Sequence, residues 1–416
     1  MKKTGVLQLT ALVLLLSLSA LGLFWATTHL DISGLYKGGA AAESAPVSAP
    51  EVSVPQPEPE PEPEPSKLHF MAAGDNLIHD NIYKQAAART GGNGFDFDPP
   101  YQYVAGLFGD ADVAFINQES LIAERIAPLS GYPLFNSPEA VGDKLVDMGF
   151  NVICTANNHM FDMREAGLIA SMDYWDAQPV FSMGAWRTEA DMQRPLTIEK
   201  EGITIGFVPI TEHTNGLKLP AETPLRFIRS DEYDLIKQQV ALARANSDFV
   251  VVSIHWGTEN SNNTNDNQLE LAQMFADWGV DLVLGHHSHT LQPMEWRTGQ
   301  SGKRMLVVYS LGNFISSMLD PQNMLGGILD LDIEKDVKTG ETAITRARMI
   351  PIVTQYDTTG RQDVRIYPFA DYTDALVNKH GMKQWHGHFS LSYLSGIIKK
   401  NIPAEFLNSD VLEKIG

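Results

Sequence analysis

An α/β protein is what this sequence predicts, and three observations carry the expectation. From Leu68 onward, short apolar runs rich in valine and isoleucine alternate with longer amphipathic stretches, the pattern of strands layered against helices. Several runs stop on histidine, asparagine or a carboxylate, as in Asp248-Phe-Val-Val-Val-Ser-Ile-His255, and α/β sheets build their sites at the carboxyl ends of strands. Hairpin signals at Glu201-Gly202 and Thr339-Gly340 argue against a purely parallel sheet.

Taken in order, the chain begins with Lys2 and Lys3 before an apolar stretch from Val6 to about Thr27. A bilayer-spanning helix needs about 20 such residues, and the lysines favour a cytoplasmic N-terminus. Residues 1–30 are therefore expected to be a single-pass membrane anchor, with the folded domain extracytoplasmic. A cleaved signal peptide is the rival reading, with Ser17-Leu18-Ser19 before Ala20 as its site. The apolar run continues past that site through Leu21, Leu23, Phe24 and Trp25, which favours the uncleaved anchor. Residues 31–66 read as a disordered linker rich in proline and glutamate. Its repeat from Pro55 to Pro65 alternates proline with polar or acidic residues, a composition that holds an extended polyproline II form. At about 3.1 Å per residue, those eleven residues span about 34 Å.

The folded body is expected over residues 67–357. Strands are predicted at 68–74, 112–117, 151–156, 203–210, 249–255, 281–285 and 306–310, with helices at 138–148, 164–177, 231–246 and 267–278. Ser137-Pro138-Glu139 and Ser230-Asp231-Glu232 offer helix caps with acidic first turns. Residues 358–416 read as a C-terminal helical extension of two or three short helices.

Composition narrows the function. The formal charge of −20 argues against nucleic acid and anionic headgroups, which demand basic surface. Part of it is local to the linker glutamates, but the remainder is still acidic. Cys154 is the only cysteine, so no intrachain disulfide forms. No Gly-x-x-x-x-Gly-Lys-Ser/Thr loop occurs, which excludes a P-loop ATP-driven ligase.

Six segments carry chemistry: Gly74-Asp75-Asn76-Leu77-Ile78-His79, Asn117-Gln118-Glu119, Ala156-Asn157-Asn158-His159-Met160-Phe161-Asp162, His255-Trp256-Gly257-Thr258-Glu259, Gly285-His286-His287-Ser288-His289 and Gly312-Asn313-Phe314. Singly, each has a structural reading; a Gly-Asp after a strand is a common turn, and a lone His-Trp is ordinary core. Together they supply what two divalent cations about 3.5–4 Å apart require, a shared carboxylate flanked by carboxylate and imidazole ligands. Asp75 suits the first metal and Glu119 a bridge. Asn158 offers a neutral oxygen, His159 beside it can point at substrate instead of metal, and His255, His287 and His289 supply imidazoles. Nitrogen and oxygen donors without thiolate suit Mn, Fe or Zn. Asn117, Glu259 and Asn313 of these segments are expected to bind substrate. So is Asn136, in the loop Gly131-Tyr-Pro-Leu-Phe-Asn-Ser-Pro138. That loop has two readings: a cleft wall using Tyr132 or Phe135, or a core plug formed by Phe135 ahead of the next helix.

The ordered set of motifs, from Gly-Asp-Asn-Leu to Tyr-Ser-Leu-Gly-Asn-Phe-Ile, resembles the CapA/PgsA-type family of capsule (poly-γ-glutamate) biosynthesis proteins, itself similar to calcineurin-like metallophosphoesterases. The resemblance runs from about Leu68 to Ser316. It implies a four-layer α/β/β/α sandwich with a two-metal site between the sheets. Asp75 and His289 would serve one metal, Asn158, His255 and His287 the other, with Glu119 between. His159 would be the acid and Asp162 its orienting partner. It further implies membrane partners in a polymer synthesis complex and an anionic polymer or phosphoester as substrate. Two positions depart from the pattern: Leu77 stands where metallophosphoesterases usually carry a ligand histidine, and Ser288 where relatives often have proline. The expected function is therefore either metal-dependent phosphoester hydrolysis or, with one ligand short, a scaffold that grips polymer or partner without turnover.

Overall fold

The computed structural model describes residues 64–416. The apolar N-terminal segment and nearly all of the proline–glutamate linker lie outside the described residues. Among those described, no helix is long and apolar enough to cross a membrane.

Fourteen strands are described. In chain order the first seven are β1 (Ser66–Asn76), β2 (Val113–Asn117), β3 (Val152–Cys154), β4 (Phe181–Met183), β5 (Leu196–Lys200), β6 (Ile203–Thr211) and β7 (Phe249–His255). The others are β8 (Leu282–His286), β9 (Met294–Thr298), β10 (Arg304–Val308), β11 (Asn313–Ile315), β12 (Leu325–Lys335), β13 (Thr342–Asp357) and β14 (Gln362–Pro368). They form two mixed sheets, ordered β14-β13-β12-β1-β2-β3-β4, with β11 beside β1, and β5-β6-β7-β8-β10-β9. Strands β1 to β4 run parallel to one another, as do β6, β7, β8 and β10, while β12 joins β1, β5 joins β6 and β9 joins β10 antiparallel.

The unbroken apolar run of β7 has a packing cause. Phe249 and Val251 join the core shared with the first sheet, whereas Val250, Val252 and Ile254 join a second core with Ile236 and Val240 of the helix Tyr233–Ala245 and Leu271 and Phe275 of the helix Asp266–Asp277. A strand covered on both faces needs apolar residues at every position. Aromatic contacts link the sheets: Phe181 meets Phe207 at 5.7 Å, and Phe115 stacks on the His286 ring at 5.8 Å. The predicted β5–β6 hairpin is present, turning through Glu201 (φ 50°) and Gly202 (φ 73°), the positive-φ pair of a tight two-residue loop.

Three expectations are corrected. Ser137 does not cap the helix Glu139–Asp147, because its hydroxyl donates to Ser120 Oγ at 2.8 Å and Pro138 takes the cap position. Ser230 likewise leaves the helix Tyr233–Ala245 without a side-chain cap; the box that forms is Asn265 with Gln268, at the start of Asp266–Asp277. Lastly, the C-terminal region is not purely helical. β14 pairs antiparallel with β13, burying Val364 and Ile366, and four helices follow, Asp374–Lys379, Gly381–Trp385, Leu391–Asn401 and Ser409–Ile415. Val377, Met382, Leu394 and Val411 from these helices enter the main core.

Candidate metal centre

Strand pairing brings the motif residues together at the carboxyl ends of both sheets. Asp75 on β1 is in register with Asn117 on β2 and with Asn313 on β11, and His255 on β7 is in register with His286 on β8. Within each sheet the backbone of a neighbouring segment comes close here, and two glycines permit it. A Cβ on Gly74 would stand 2.0 Å from the Gly312 carbonyl oxygen, and one on Gly285 1.9 Å from that of Tyr309. The neighbouring Asp75 N–H donates to Gly312 O at 2.9 Å.

Asp75, Glu119 and His289 are buried, and one ligand-type atom from each lies within 4.8 Å of the others. His289 Nδ1 is 3.3 Å from Asp75 Oδ2, and its Nε2 is 3.7 Å from Glu119 Oε1. Burial alone would depress the His289 pKa, but Glu119 and Asp75 outweigh it and raise it to about 9. Burial opposes ionisation of Asp75 too, yet the His286 and His289 rings hold its carboxyl well below the usual range. Glu119 differs: burial pushes it well above its ordinary range despite His289 nearby. Both Glu119 oxygens are buried without a hydrogen-bond partner. A buried carboxylate so placed costs free energy unless something charged satisfies it. These residues fit a divalent cation, which would supply that charge.

A second set adjoins the first. Around His255 Nε2 lie Asn158 Oδ1 at 2.9 Å, His287 Nδ1 at 3.1 Å and Glu119 Oε1 at 3.5 Å. Burial and neighbouring imidazoles keep His255 well below its ordinary pKa, and burial takes His287 to about 3. Both are therefore neutral at physiological pH, the state a metal ligand needs. Backbone strain gathers here: His287 (φ 85°) and His289 (φ 57°) both adopt positive φ, uncommon for non-glycine residues and concentrated at functional sites.

His159 and Asp162 form a separate dyad. His159 Nδ1 donates to Asp162 Oδ2 at 2.7 Å, and the His159 N–H donates to Asn157 Oδ1 at 3.0 Å. Phe135 packs edge-on to the His159 ring at 4.7 Å, and its own N–H donates to Asp162 Oδ2 at 2.6 Å. The loop Gly131–Pro138 thus meets the dyad through a buried Phe135, while Tyr132 is 81% exposed. Phe135→Ala is expected to destabilise the protein by about 3 kcal/mol, the usual cost of truncating a buried phenylalanine. Tyr132→Ala should leave the melting temperature unchanged. Calorimetry on the two variants checks the contrast, and equal losses would refute it.

The four residues expected to bind substrate are placed differently. Asn117 is buried and donates to Asp75 Oδ1 at 2.8 Å. Asn313 accepts from His289 Nδ1 at 3.0 Å and fixes that ring. Asn136 is a correction: it is fully buried, and its amide bonds the backbone of Ala123, Ala127 and Pro128, so it braces its own loop. Glu259 is exposed and close enough to raise the pKa of Glu119. Leu77 is buried, and nearby His79 packs edge-on to Phe135 at 5.3 Å.

Sequence reasoning missed two contributions. His286 sits inside the histidine run, its Nδ1 3.2 Å from Asp75 Oδ1. The loop after β6 was not recognised at all. There His213 packs edge-on to the His287 ring at 5.0 Å, and Asn215 Oδ1 accepts from Asn158 Nδ2 at 3.2 Å. The signal was present, since β6 ends on Thr211-Glu212-His213-Thr214-Asn215, another apolar run that stops on ligand-type residues.

Fold and site together define a mixed α/β protein with a buried Asp–Glu–His group able to hold a divalent cation. The profile of the family described as "Bacterial capsule synthesis protein PGA_cap" matches residues 69–318, and the chain belongs to that family. Among named relatives, "PGA biosynthesis protein CapA" of Bacillus subtilis is 27% identical over 241 residues, covering 58% of this chain and 56% of the relative. "Capsule biosynthesis protein CapA" of Bacillus anthracis is 29% identical over 174 residues, 41% of each chain. The chain thus matches only about half the length of these relatives. Solved structures similar to it include the calcineurin-like phosphoesterase YfkN from Bacillus subtilis (TM-score 0.44, 12% identity, 85% of this chain and 98% of that one). A putative 5′-nucleotidase from Staphylococcus aureus gives a TM-score of 0.43 at 13% identity, covering 69% of this chain and 54% of that one.

Proposed function

We propose that this chain is a membrane-anchored, extracytoplasmic CapA-type protein that acts in capsule, poly-γ-glutamate or other envelope-polymer synthesis or export, through a two-metal phosphoesterase-like site. The observation that carries the catalytic part is Glu119, a buried carboxylate without a hydrogen-bond partner between two sets of ligand-type atoms. We read the two facing sheets and their flanking helices as the α/β/β/α sandwich such sites occupy. Asp75, Glu119 and His289 would hold one cation, and Asn158, His255 and His287 with Glu119 the other. Mn, Fe or Zn held there would supply Lewis-acid polarisation and charge neutralisation at a phosphoryl group.

The chain's own groups do the rest. Asp162 orients His159 through Nδ1. Nε2 makes no hydrogen bond among the described residues, which leaves that nitrogen to hold the proton passed to a departing oxygen. Asn117 and Asn313 keep Asp75 and His289 in place. Phe135 walls the His159 ring on one side.

A second reading rests on Leu77, an apolar residue where phosphoesterases usually offer a ligand. The chain would then be a scaffold whose metal-bearing cleft grips an anionic polymer or a membrane partner of the synthesis complex, bound metal reversing the local sign of an acidic surface. One experiment with two arms tests both readings. The purified full chain is analysed for bound metal and assayed with manganese on an aryl phosphate and an aryl phosphodiester, while the gene is deleted in its host. Two equivalents of metal with turnover, and loss of surface polymer on deletion, are expected. Metal and polymer binding without turnover would replace catalysis by the scaffold reading, and unchanged surface polymer would remove the polymer role.

A further inference from the structure

The loop after β6 contains a residue whose contacts bear on how the site is set. Asn158 is 1% exposed, and its amide has two chemically different ends. Only the oxygen can ligate a cation; the NH₂ end would present protons to it. Rotating the amide by half a turn costs little in shape, so something must distinguish the two orientations. Asn158 Oδ1 faces His255 Nε2 at 2.9 Å, and Nδ2 points the other way, donating to Asn215 Oδ1 at 3.2 Å.

Asn215 is itself held. Its backbone has φ of 51° and is followed by Gly216 at 75°, and its N–H donates to His213 Nδ1 at 3.4 Å. The loop is tied to the site strand: the Glu212 N–H donates to His255 O at 2.9 Å, and Glu212 Oε2 accepts from the Gly257 N–H at 2.8 Å. The other end of the Asn215 amide lies 3.4 Å from His159 Nδ1. That nitrogen is already committed to Asp162 at 2.7 Å, so the Asn158 bond is the directional one.

We propose that Asn215 is a positioning residue: by accepting from Asn158 Nδ2 it fixes the Asn158 amide with its oxygen toward the His255 cluster, where a cation would be held. This rests on the metal-binding reading above. It places a side chain from outside the six motif segments behind a ligand, the kind of supporting contact whose removal costs about 10- to 100-fold in metal affinity.

A double-mutant cycle on the full chain tests it, with manganese binding as the readout. Asn215→Ala removes the acceptor and should weaken manganese binding at one site about tenfold. Asn215→Asp retains an acceptor and should not weaken it. The decisive arm uses Asn158→Asp, whose two carboxylate oxygens make orientation irrelevant: in that background Asn215→Ala should change affinity less than about twofold, within the scatter of independent sites. Asn215→Ala should shift the melting temperature of the metal-free protein only slightly and equally in both backgrounds, since residue 215 is exposed and only its positive φ disfavours alanine. An equal loss of affinity in both backgrounds, or an Asn215→Asp variant as weak as Asn215→Ala, overturns the inference while leaving the metal site standing. If the unaltered chain takes up no manganese, the metal reading and the inference fall together.

Discussion

His159→Ala is expected to lower kcat for an aryl phosphate by about a hundredfold or more, the range in which positioned acids and bases contribute, with bound metal unchanged. The separation of effects follows from geometry. Among the described residues no hydrogen bond or ion pair joins the His159 side chain to Asp75, Glu119 or His289, and its shortest bond is to Asp162. Removing the ring would therefore delete the proposed proton donor and leave the proposed ligand clusters intact. Asp162→Asn should fall between wild type and the alanine variant, because an amide keeps a partner for Nδ1 but holds the ring with a neutral, weaker bond. Asp162 also accepts from the Phe135 N–H, so its variant needs a melting curve beside the kinetics. Should His159→Ala turn over as fast as wild type, the acid must be sought elsewhere, and if metal is lost with it, His159 is a ligand instead.

Glu119→Gln should move stability in opposite directions with and without metal. In the metal-free protein Glu119 is a buried carboxyl whose oxygens bond nothing, and burial lifts its pKa well above the ordinary value near 4.5. Above that value the unfolded chain ionises Glu119 freely whereas the folded chain resists, so folding loses stability as pH rises. Replacing the carboxyl removes this penalty: the metal-free variant should melt higher than wild type at pH 7, and the gain should fade as pH falls below about 4.5. With manganese the order reverses. A ligand at a hundredfold excess over Kd stabilises by about 2.7 kcal/mol, and the variant, lacking the anionic bridge, should show far less of this. Calorimetric scans at pH 4 and 7 with and without manganese decide it. A variant whose manganese-dependent shift equals that of wild type would mean Glu119 binds no metal.

Much of this was readable because two physical demands write themselves into sequence. A strand buried on both faces must be apolar throughout, so β7 and β8 are visible as runs, and the ends of such runs point to where polar chemistry collects. By that rule Asp75, Glu119, Asn158, His255, His287 and His289 could be named as neighbours before their distances were known. Thr211 to Asn215 satisfies the same rule, but a solitary histidine among small polar residues resembles an ordinary turn. Asn136 failed for a different reason. A lone asparagine in a loop says nothing about whether its amide turns inward to the backbone or outward to a cleft, since that depends on tertiary packing. β14 is faint in the sequence although Val364 and Ile366 alternate with polar residues, because an edge strand buries one face and its signal is half as strong.

The place of β1 within its sheet has a kinetic consequence. It is the first described strand of the chain, yet it lies between β2 and β12, and β12 begins at Leu325, roughly 250 residues after β1 ends at Asn76. A polypeptide that emerges amino end first exposes one edge of this apolar strand until most of the remaining sequence has followed. Pairings of such long range make folding slow and leave partly built chains prone to stick to one another. Asp75 shares that wait, because its partners His286, His289 and Asn313 arrive late as well. A truncated product ending before Leu325 would therefore lack both a finished sheet and a finished site, and should be found as aggregate or as a substrate for proteases.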